Sequence, residues 1–181
     1  MVESMNRSRL VGWMLMIAAI ILAAGACVGS AEGEPAPSFS FPAFGNDNYE
    51  AGEEISLERF ADRMVVVNFW YPSCAPCREE MPDLEEASHT YRDEGVTIIG
   101  IQLVDVDPAE EGQKFINELG ISYAIGADPD GDIFKRYDVI SFPTTFFLDR
   151  SHNIVRKFGG LLSADALEDQ IQDMIAMDRA S

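Results

Sequence analysis

The apolar residues of this chain form short runs of strand length that alternate with longer segments of helical spacing. The run "MVVVNFW" (64–70) is apolar on both faces apart from Asn68, which predicts a central strand buried from both sides. "VTIIGIQ" (96–102) predicts a second buried strand. A segment with apolar residues at helical spacing follows each run, the first ending at Gly95 and the second at Gly120.

The remaining patterns complete an α/β chain. "DPDGDIFKRYDV" predicts a turn and a short helix, "TTFFLDRSHNIVRKFGG" predicts two strands joined by a polar turn, and "SADALEDQIQDMIAM" predicts a final helix capped by Ser163. Earlier in the chain, "SFSFPAF" and "EEISLERFA" predict two short strands around a polar turn. Asp107 is predicted to cap the second helix, with Pro108 at its first position. The order predicts a central mixed sheet flanked by helices, with an N-terminal β-hairpin extension.

The start of the chain has the pattern of an exported or anchored protein. An uninterrupted apolar run extends from Leu10 to Ala26, directly after two arginines. Its length lies between that of a cleaved signal and that of a short spanning helix. The small residues before Cys27 resemble a bacterial lipobox, in which the cysteine is lipidated, although Ala24 stands where such motifs usually carry leucine. The chain is therefore either a lipoprotein attached through Cys27 or a protein with an uncleaved N-terminal helix.

These features divide the chain into three regions. Residues 1–26 are predicted to be the signal or anchor, residues 27–36 a flexible tether of small, acidic and proline residues, and residues 37–178 one domain. The domain is predicted to lie outside the bacterial cytoplasmic membrane and to remain attached to it. The net charge of -18 argues against nucleic acid and against anionic membrane surfaces as partners.

The most chemically suggestive stretch is "FWYPSCAPCREEMPDL", which places Cys74 and Cys77 two residues apart, directly after the central strand. A structural disulfide across so short a loop restrains the unfolded chain little. Cys74 is expected at or just before the first helical residue, where free N–H groups and the helix dipole lower a thiol pKa by roughly one to several units. Cys77 lies one turn along on the same side and can close a disulfide with Cys74.

A metal site is the alternative for such a pair, but the chain offers few further ligands. His89 and His152 are single residues far apart in sequence, and no second cysteine pair completes a zinc or iron–sulfur set. We therefore predict no metal and no cofactor.

Several segments in the right order resemble one family. "VVVNFWYPSCAPCREEMPDL", "GVTIIGIQ", "DPDGDIFKRYDVISFPTTFFLDRSHNIVRKFGG" and the closing helix resemble the TlpA/ResA-like branch of the thioredoxin superfamily, which comprises membrane-tethered extracytoplasmic thiol-disulfide oxidoreductases. The resemblance covers residues 37–177 and implies a thioredoxin-like fold. It also implies that Cys74 is the nucleophile, that Cys77 is the resolving thiol, and that the Phe142–Pro143 peptide bond is cis and faces them.

The resemblance further implies a substrate groove around the cysteines and Pro143, where backbone groups stay exposed for an extended chain. The residues predicted to line it are Tyr71, Pro72, Ser73, Ala75, Pro76, Phe142 and Thr144. Ser73 stands where many relatives carry tryptophan, so the surface is smaller and more polar. Asn68 takes the place of the buried aspartate of cytoplasmic thioredoxins and cannot be a base. Glu80 is the candidate to tune thiol protonation, and the alternative for Glu80 is a solvated surface carboxylate.

The function predicted first is disulfide exchange with protein thiols outside the membrane. The resemblance favours the reducing direction, for instance keeping the haem-binding cysteines of apocytochrome c reduced, with electrons from a membrane thiol donor. A peroxiredoxin-like thiol peroxidase is a second hypothesis, although Tyr71 stands where that family has threonine. Two non-enzymatic functions also stay open: a copper-binding module of the same fold, which needs a wider cysteine spacing and a further histidine, and an adaptor with a purely structural disulfide.

Overall fold

The computed structural model describes residues 33–180, so the predicted anchor and Cys27 lie outside the described residues. The strands are β1 (Glu34–Pro35), β2 (Ser40–Pro42), β3 (Glu54–Ser56), β4 (Met64–Trp70), β5 (Val96–Leu103), β6 (Ala124–Asp128), β7 (Thr144–Leu148) and β8 (Asn153–Gly159). The α-helices are α1 (Ala75–Thr90), α2 (Ala109–Leu119), α3 (Asp132–Arg136) and α4 (Ala164–Ala180). Short 3-10 helices cover Leu57–Phe60 and Arg92–Glu94.

Six strands form one mixed sheet in the order β1-β8-β7-β4-β5-β6. β4, β5 and β6 run parallel, whereas β7 is antiparallel to β4 and β8 is antiparallel to β7. β2 and β3 form a separate antiparallel hairpin. The predicted α/β fold with a central mixed sheet, flanking helices and an N-terminal hairpin is confirmed.

The sheet separates two apolar cores. On one side it packs against α1 and α4, with Trp70, Met81 and Ile171 among the fully buried side chains. On the other side it is covered by the hairpin and α3, through a cluster that includes Phe41 and Phe69. All seven residues of β4 are buried, as expected for a strand between two neighbours and two covered faces.

The domain begins earlier than the sequence indicates. Glu34 and Pro35, which fall within the predicted tether, form β1 and pair with Ile154 and Asn153 of β8. A Cβ atom at Gly33 would lie 2.2 Å from the carbonyl oxygen of Ile154, so glycine permits this close approach. Residues 34 and 35, assigned to the tether from the sequence, are therefore paired to the sheet through backbone groups that no hydrophobic pattern reveals.

The start of α2 also differs from the prediction. The cap position is Pro108, the first helical residue is Ala109, and no side chain caps the helix. The carboxylate of Asp107 instead accepts a hydrogen bond from the backbone N–H of Ser73. Asp107 thus connects α2 to the loop before Cys74 rather than closing its own helix end.

Within residues 33–180, no helix is long and apolar enough to cross a membrane.

Candidate active site

The two cysteines lie where β4 gives way to α1, and a disulfide bond joins them. Their Cα atoms are 5.2 Å apart. The side chain of Cys74 is 4% exposed and that of Cys77 is 0% exposed. Cys74 is therefore the sulfur that a partner reaches first.

Cys74 is the N-cap residue of α1, in agreement with the sequence. Its Sγ accepts a hydrogen bond from the backbone N–H of Cys77 at 3.2 Å. Pro76 lies in the first helical turn, where its missing N–H costs no helical hydrogen bond. After reduction, the free N–H groups and the positive end of the helix dipole favour a thiolate at Cys74.

Glu80 lies one turn after Cys77 and is 1% exposed. Its Oε1 accepts a hydrogen bond from Asn68 Nδ2 at 2.6 Å, and its Oε2 accepts one from the backbone N–H of Leu162 at 3.0 Å. Burial raises the pKa of Glu80 from its ordinary value of 4.5 to about 7, although both hydrogen bonds favour the charged form. The interpretation of Glu80 as a solvated surface carboxylate is wrong, because its side chain points into the core.

Asn68 fixes the position of this carboxyl group. The Asn68 side chain lies on β4, between β5 and β7, and is fully buried. Its Nδ2 donates a second hydrogen bond to Thr145 Oγ1 at 3.0 Å. With one hydrogen to Thr145 and the other to Glu80, the amide holds the carboxyl group in one orientation, on the helix that begins at Cys74.

A second set of contacts positions the loop before Cys74. Asp107 Oδ2 accepts the N–H of Ser73 at 2.7 Å. The buried side chain of Gln102 donates from Nε2 to the carbonyl of Asp107 at 2.8 Å and to that of Pro108 at 3.3 Å. The end of β5 therefore holds Asp107 in place, and Asp107 holds Ser73, the residue before Cys74.

The Phe142–Pro143 peptide bond is cis, as the resemblance implies. The ring of Phe142 contacts Tyr71 at a centroid distance of 5.0 Å, which brings the proline turn beside the end of β4. Ile140, at the start of this turn, is 85% exposed. The turn therefore presents apolar surface, and Phe142 brings it to Tyr71, three residues before Cys74.

The residues predicted to contact substrate divide into two groups. Ser73, Ala75 and Pro76 are exposed, and Tyr71 and Phe142 are partly exposed. Pro72 is buried, and so is Thr144, whose hydroxyl donates to the carbonyl of Ser141 at 2.7 Å. That Pro72 and Thr144 line the groove stays a prediction, and the bond from Thr144 supports the proline turn.

The structure offers little to a metal ion. Among residues 33–180, no group of three or more His, Cys, Asp or Glu side chains is arranged to hold one. His89 contacts Glu85 Oε1 at 2.7 Å, and His152 Nε2 lies 3.1 Å from the carbonyl oxygen of Phe60.

Comparisons with known proteins agree with this geometry. Residues 33–157 match the AhpC/TSA family. The thiol-disulfide oxidoreductase ResA of Bacillus thuringiensis subsp. konkukian is 31% identical over 121 residues, which cover 67% of this chain and 69% of that protein. The chain belongs to the ResA-like thiol-disulfide oxidoreductases of the thioredoxin family.

Other proteins similar to this ResA-like enzyme match a larger part of its chain. The thioredoxin-like protein YneN of Bacillus subtilis is 30% identical over 145 residues, or 80% of this chain and 81% of that protein. A thiol:disulfide interchange protein from Bacteroides sp. has a TM-score of 0.67 at 26% identity and covers 81% of this chain and 91% of its own. One from Chlorobium tepidum TLS, at 24% identity, has a TM-score of 0.70 over 81% of this chain and 99% of its own, and it supports the fold.

Sequence reasoning missed several contributors to the site. The roles of Asp107, Gln102 and Leu162 depend on contacts between distant parts of the chain. Ile140 could have been predicted as a surface residue of the site, because it is an apolar residue directly before the "SFP" turn.

Proposed function

We propose that this ResA-like enzyme reduces disulfides of protein partners outside the cytoplasmic membrane, through Cys74 and Cys77. The observation that carries the proposal is the disulfide at the start of α1 together with the buried Glu80, whose pKa is raised to about 7. Such a group exchanges a proton near neutral pH, where thiol-disulfide exchange needs one.

In the proposed reaction, the Cys74 thiolate attacks a substrate disulfide, forming a mixed disulfide and releasing one substrate thiolate. Cys77 then loses its proton to the Glu80 carboxylate and attacks Cys74 Sγ. The Cys74–Cys77 disulfide forms, the second substrate thiolate leaves, and two electrons have passed to the substrate. Glu80 and solvent supply the protons that the two substrate thiolates take up.

The surface around Pro143 is proposed as the substrate groove. The exposed Ser73 and Pro76 flank the disulfide, and Ile140 and Phe142 supply apolar surface on the proline turn. An extended segment with a cysteine fits a surface of this kind, because backbone groups beside a proline turn pair with extended chains. Apocytochrome c with its cysteine pair oxidised is one candidate substrate.

A membrane thiol protein is proposed to return the enzyme to its dithiol form. The supporting observation is the apolar run at residues 10–26, which predicts that the domain stays at the membrane. Attachment through Cys27 and attachment through an uncleaved helix would both keep the domain near such a membrane protein.

The full chain, purified in a nonionic detergent, tests the proposal. Equilibration of Cys74 and Cys77 with glutathione or dithiothreitol mixtures measures the reduction potential of the pair. A potential near that of thioredoxin, about -270 mV, supports the reducing direction, whereas one near -120 mV makes the protein a disulfide donor.

Two variants test the proposed roles of the cysteines. Cys74→Ser should abolish the reduction of insulin disulfides, and Cys77→Ser should accumulate mixed disulfides with the substrate. Full activity in both variants would contradict the assignment. Peroxide consumption without a partner thiol would instead favour a peroxiredoxin-like peroxidase, and tight copper binding by the reduced pair would favour a copper-binding module.

A further inference from the structure

One cavity, lined in part by arginines, lies far from the disulfide. It has a volume of about 380 Å³ and is bordered by Arg59, Arg63, Arg92, Tyr49 and Thr97. Arg63 and Thr97 stand next to the first residues of β4 and β5, whereas Cys74 follows the last residue of β4. A seven-residue strand spans about 20 Å, so the two sites are at opposite ends of the sheet.

Arg63 is held rigidly at the wall of this arginine cavity. Its Nε donates to Thr97 Oγ1 at 2.6 Å, and its Nη2 donates to the carbonyls of Arg92 and Val96 at 2.9 and 2.7 Å. These bonds anchor one side of the guanidinium and leave Nη1 without a hydrogen bond in the described part of the chain. A donor fixed in this way loses little entropy when it binds an anion.

The described residues neutralise only part of the positive charge of the cavity, through the pairing of Arg59 with Glu53 and the Glu85 carboxylate bound to the lining residue Ser122. The whole chain has 31 acidic and 13 basic residues, so carboxylates are abundant. Within residues 33–180, however, neither Arg63 nor Arg92 forms an ion pair, whereas Arg59 pairs with Glu53. Two unpaired guanidinium groups at one cavity of so acidic a protein indicate a site for an external anion.

Tyr49 borders the arginine cavity and interacts with its arginines. The Arg59 guanidinium lies 5.4 Å from the centre of the Tyr49 ring. Burial raises the pKa of the Tyr49 phenol, and the Glu53 carboxylate adds to that rise, whereas the charges of Arg59, Arg92 and Arg63 oppose it. The Tyr49 hydroxyl, at the border of the same cavity, is a further donor.

We propose that the arginine cavity binds a phosphate group. Guanidinium groups match phosphate oxygens in paired hydrogen bonds, and the cavity volume is in the range of small-ligand sites. Among residues 33–180 the Arg92 guanidinium forms no hydrogen bond, and Arg63 offers Nη1, so both side chains have donors for a tetrahedral anion. This site is independent of the proposed disulfide exchange.

The phosphate has two possible sources, a soluble compound or a lipid headgroup. Ala36, near the start of the described chain, donates its N–H to the carbonyl of His152, and His152 Nε2 lies 3.1 Å from the carbonyl oxygen of Phe60, which lines the cavity. The sequence predicts that residues 10–26 attach the protein to a membrane, which is why a lipid headgroup is considered beside a soluble compound.

Calorimetric titration of the full chain in nonionic detergent tests the proposal. The two probes are inorganic phosphate and glycerophosphoglycerol, the deacylated headgroup of phosphatidylglycerol. Sodium chloride at matched ionic strength and glycerophosphocholine, which has no net charge, are the controls. We expect saturable binding of at least one probe that the controls do not reproduce.

Arg92→Gln is the decisive variant, because this side chain is exposed and forms no hydrogen bond with the described residues. Loss of one charged donor should weaken binding about tenfold or more. Arg156→Gln removes the same charge from an exposed position outside the cavity and should change the affinity less than twofold. Insulin reduction should be unchanged in both variants.

The two probes distinguish the sources. Binding of glycerophosphoglycerol that competes with phosphate and depends on Arg92 identifies a headgroup site. Binding of phosphate alone, with the same dependence, identifies a site for soluble phosphate. The absence of saturable binding of either probe, or equal weakening by Arg92→Gln and Arg156→Gln, overturns the proposal.

Discussion

The raised pKa of Glu80 leads to a prediction about stability as well as chemistry. The folded, oxidised protein keeps Glu80 protonated up to a pKa of about 7, whereas the unfolded chain releases this proton near 4.5. Between these two values the folded state binds more protons than the unfolded state. The free energy of unfolding therefore falls as the pH rises from 4.5 to 7, and the lost stability is not regained above pH 7.

The size of this effect follows from the two pKa values. A rise from 4.5 to about 7 corresponds to roughly 3 kcal/mol, since one pKa unit equals about 1.4 kcal/mol. Glu80 is almost fully buried, so solvent screens little of this difference. Glu80→Gln keeps the shape of the side chain but cannot ionise, and the variant should lack this part of the pH dependence.

Urea unfolding of the full oxidised chain, followed by circular dichroism between pH 4.5 and 8, measures the effect. The difference in slope between the wild type and Glu80→Gln isolates Glu80 from the other titrating groups. Glu79→Gln, which changes an exposed carboxylate one residue earlier, is the matched control and should keep the wild-type slope.

A carbon-13 titration of the glutamate carboxyl groups gives an independent value. The resonance that disappears in Glu80→Gln should titrate near pH 7. Titration of that resonance near 4.5, or equal unfolding slopes in the wild type and Glu80→Gln, would refute the argument that burial dominates at this site.

Three further predictions concern the surroundings of the disulfide. Asp107→Ala removes the acceptor of the Ser73 N–H and should slow insulin reduction roughly fivefold, an effect of about 1 kcal/mol. Asp105→Ala, at an exposed position nearby, is the control and should leave the rate of insulin reduction unchanged. Gly112→Ala should destabilise by about 2 kcal/mol or more in urea unfolding, since its Cβ would lie 1.8 Å from Gln102 Oε1; a gain in stability would contradict this. Ile140→Ser should weaken exchange with protein substrates but leave stability and the reaction with glutathione unchanged.

Local signals in the sequence predict much of the fold. The apolar run of β4 is buried throughout, and Cys74 caps α1. Both follow from neighbouring residues, since a run of β-branched and aromatic side chains favours a strand, and a proline two residues after Cys74 favours a helix start.

The parts that the sequence does not predict depend on distant contacts. The burial of Glu80 depends on Asn68 and on Leu162, which is 82 residues later in the chain. Asp107 is a residue type that often caps helices, yet its carboxylate accepts a hydrogen bond from a backbone N–H 34 residues earlier. These partners are far from Glu80 and Asp107 in the sequence. The local sequence therefore shows which residues can ionise but not which of them are buried or hydrogen-bonded.

The short strand β1 has a consequence for how the enzyme coexists with partly unfolded clients. β1 covers only Asn153 and Ile154 of the outermost long strand, β8. An uncovered strand edge is a template on which extended chains assemble into aggregates. Beyond the covered part, β8 carries the exposed, charged side chains of Arg156 and Lys157. Because such charges discourage edge-to-edge assembly, the enzyme can meet extended, cysteine-bearing chains at its active site without recruiting them to the border of its sheet.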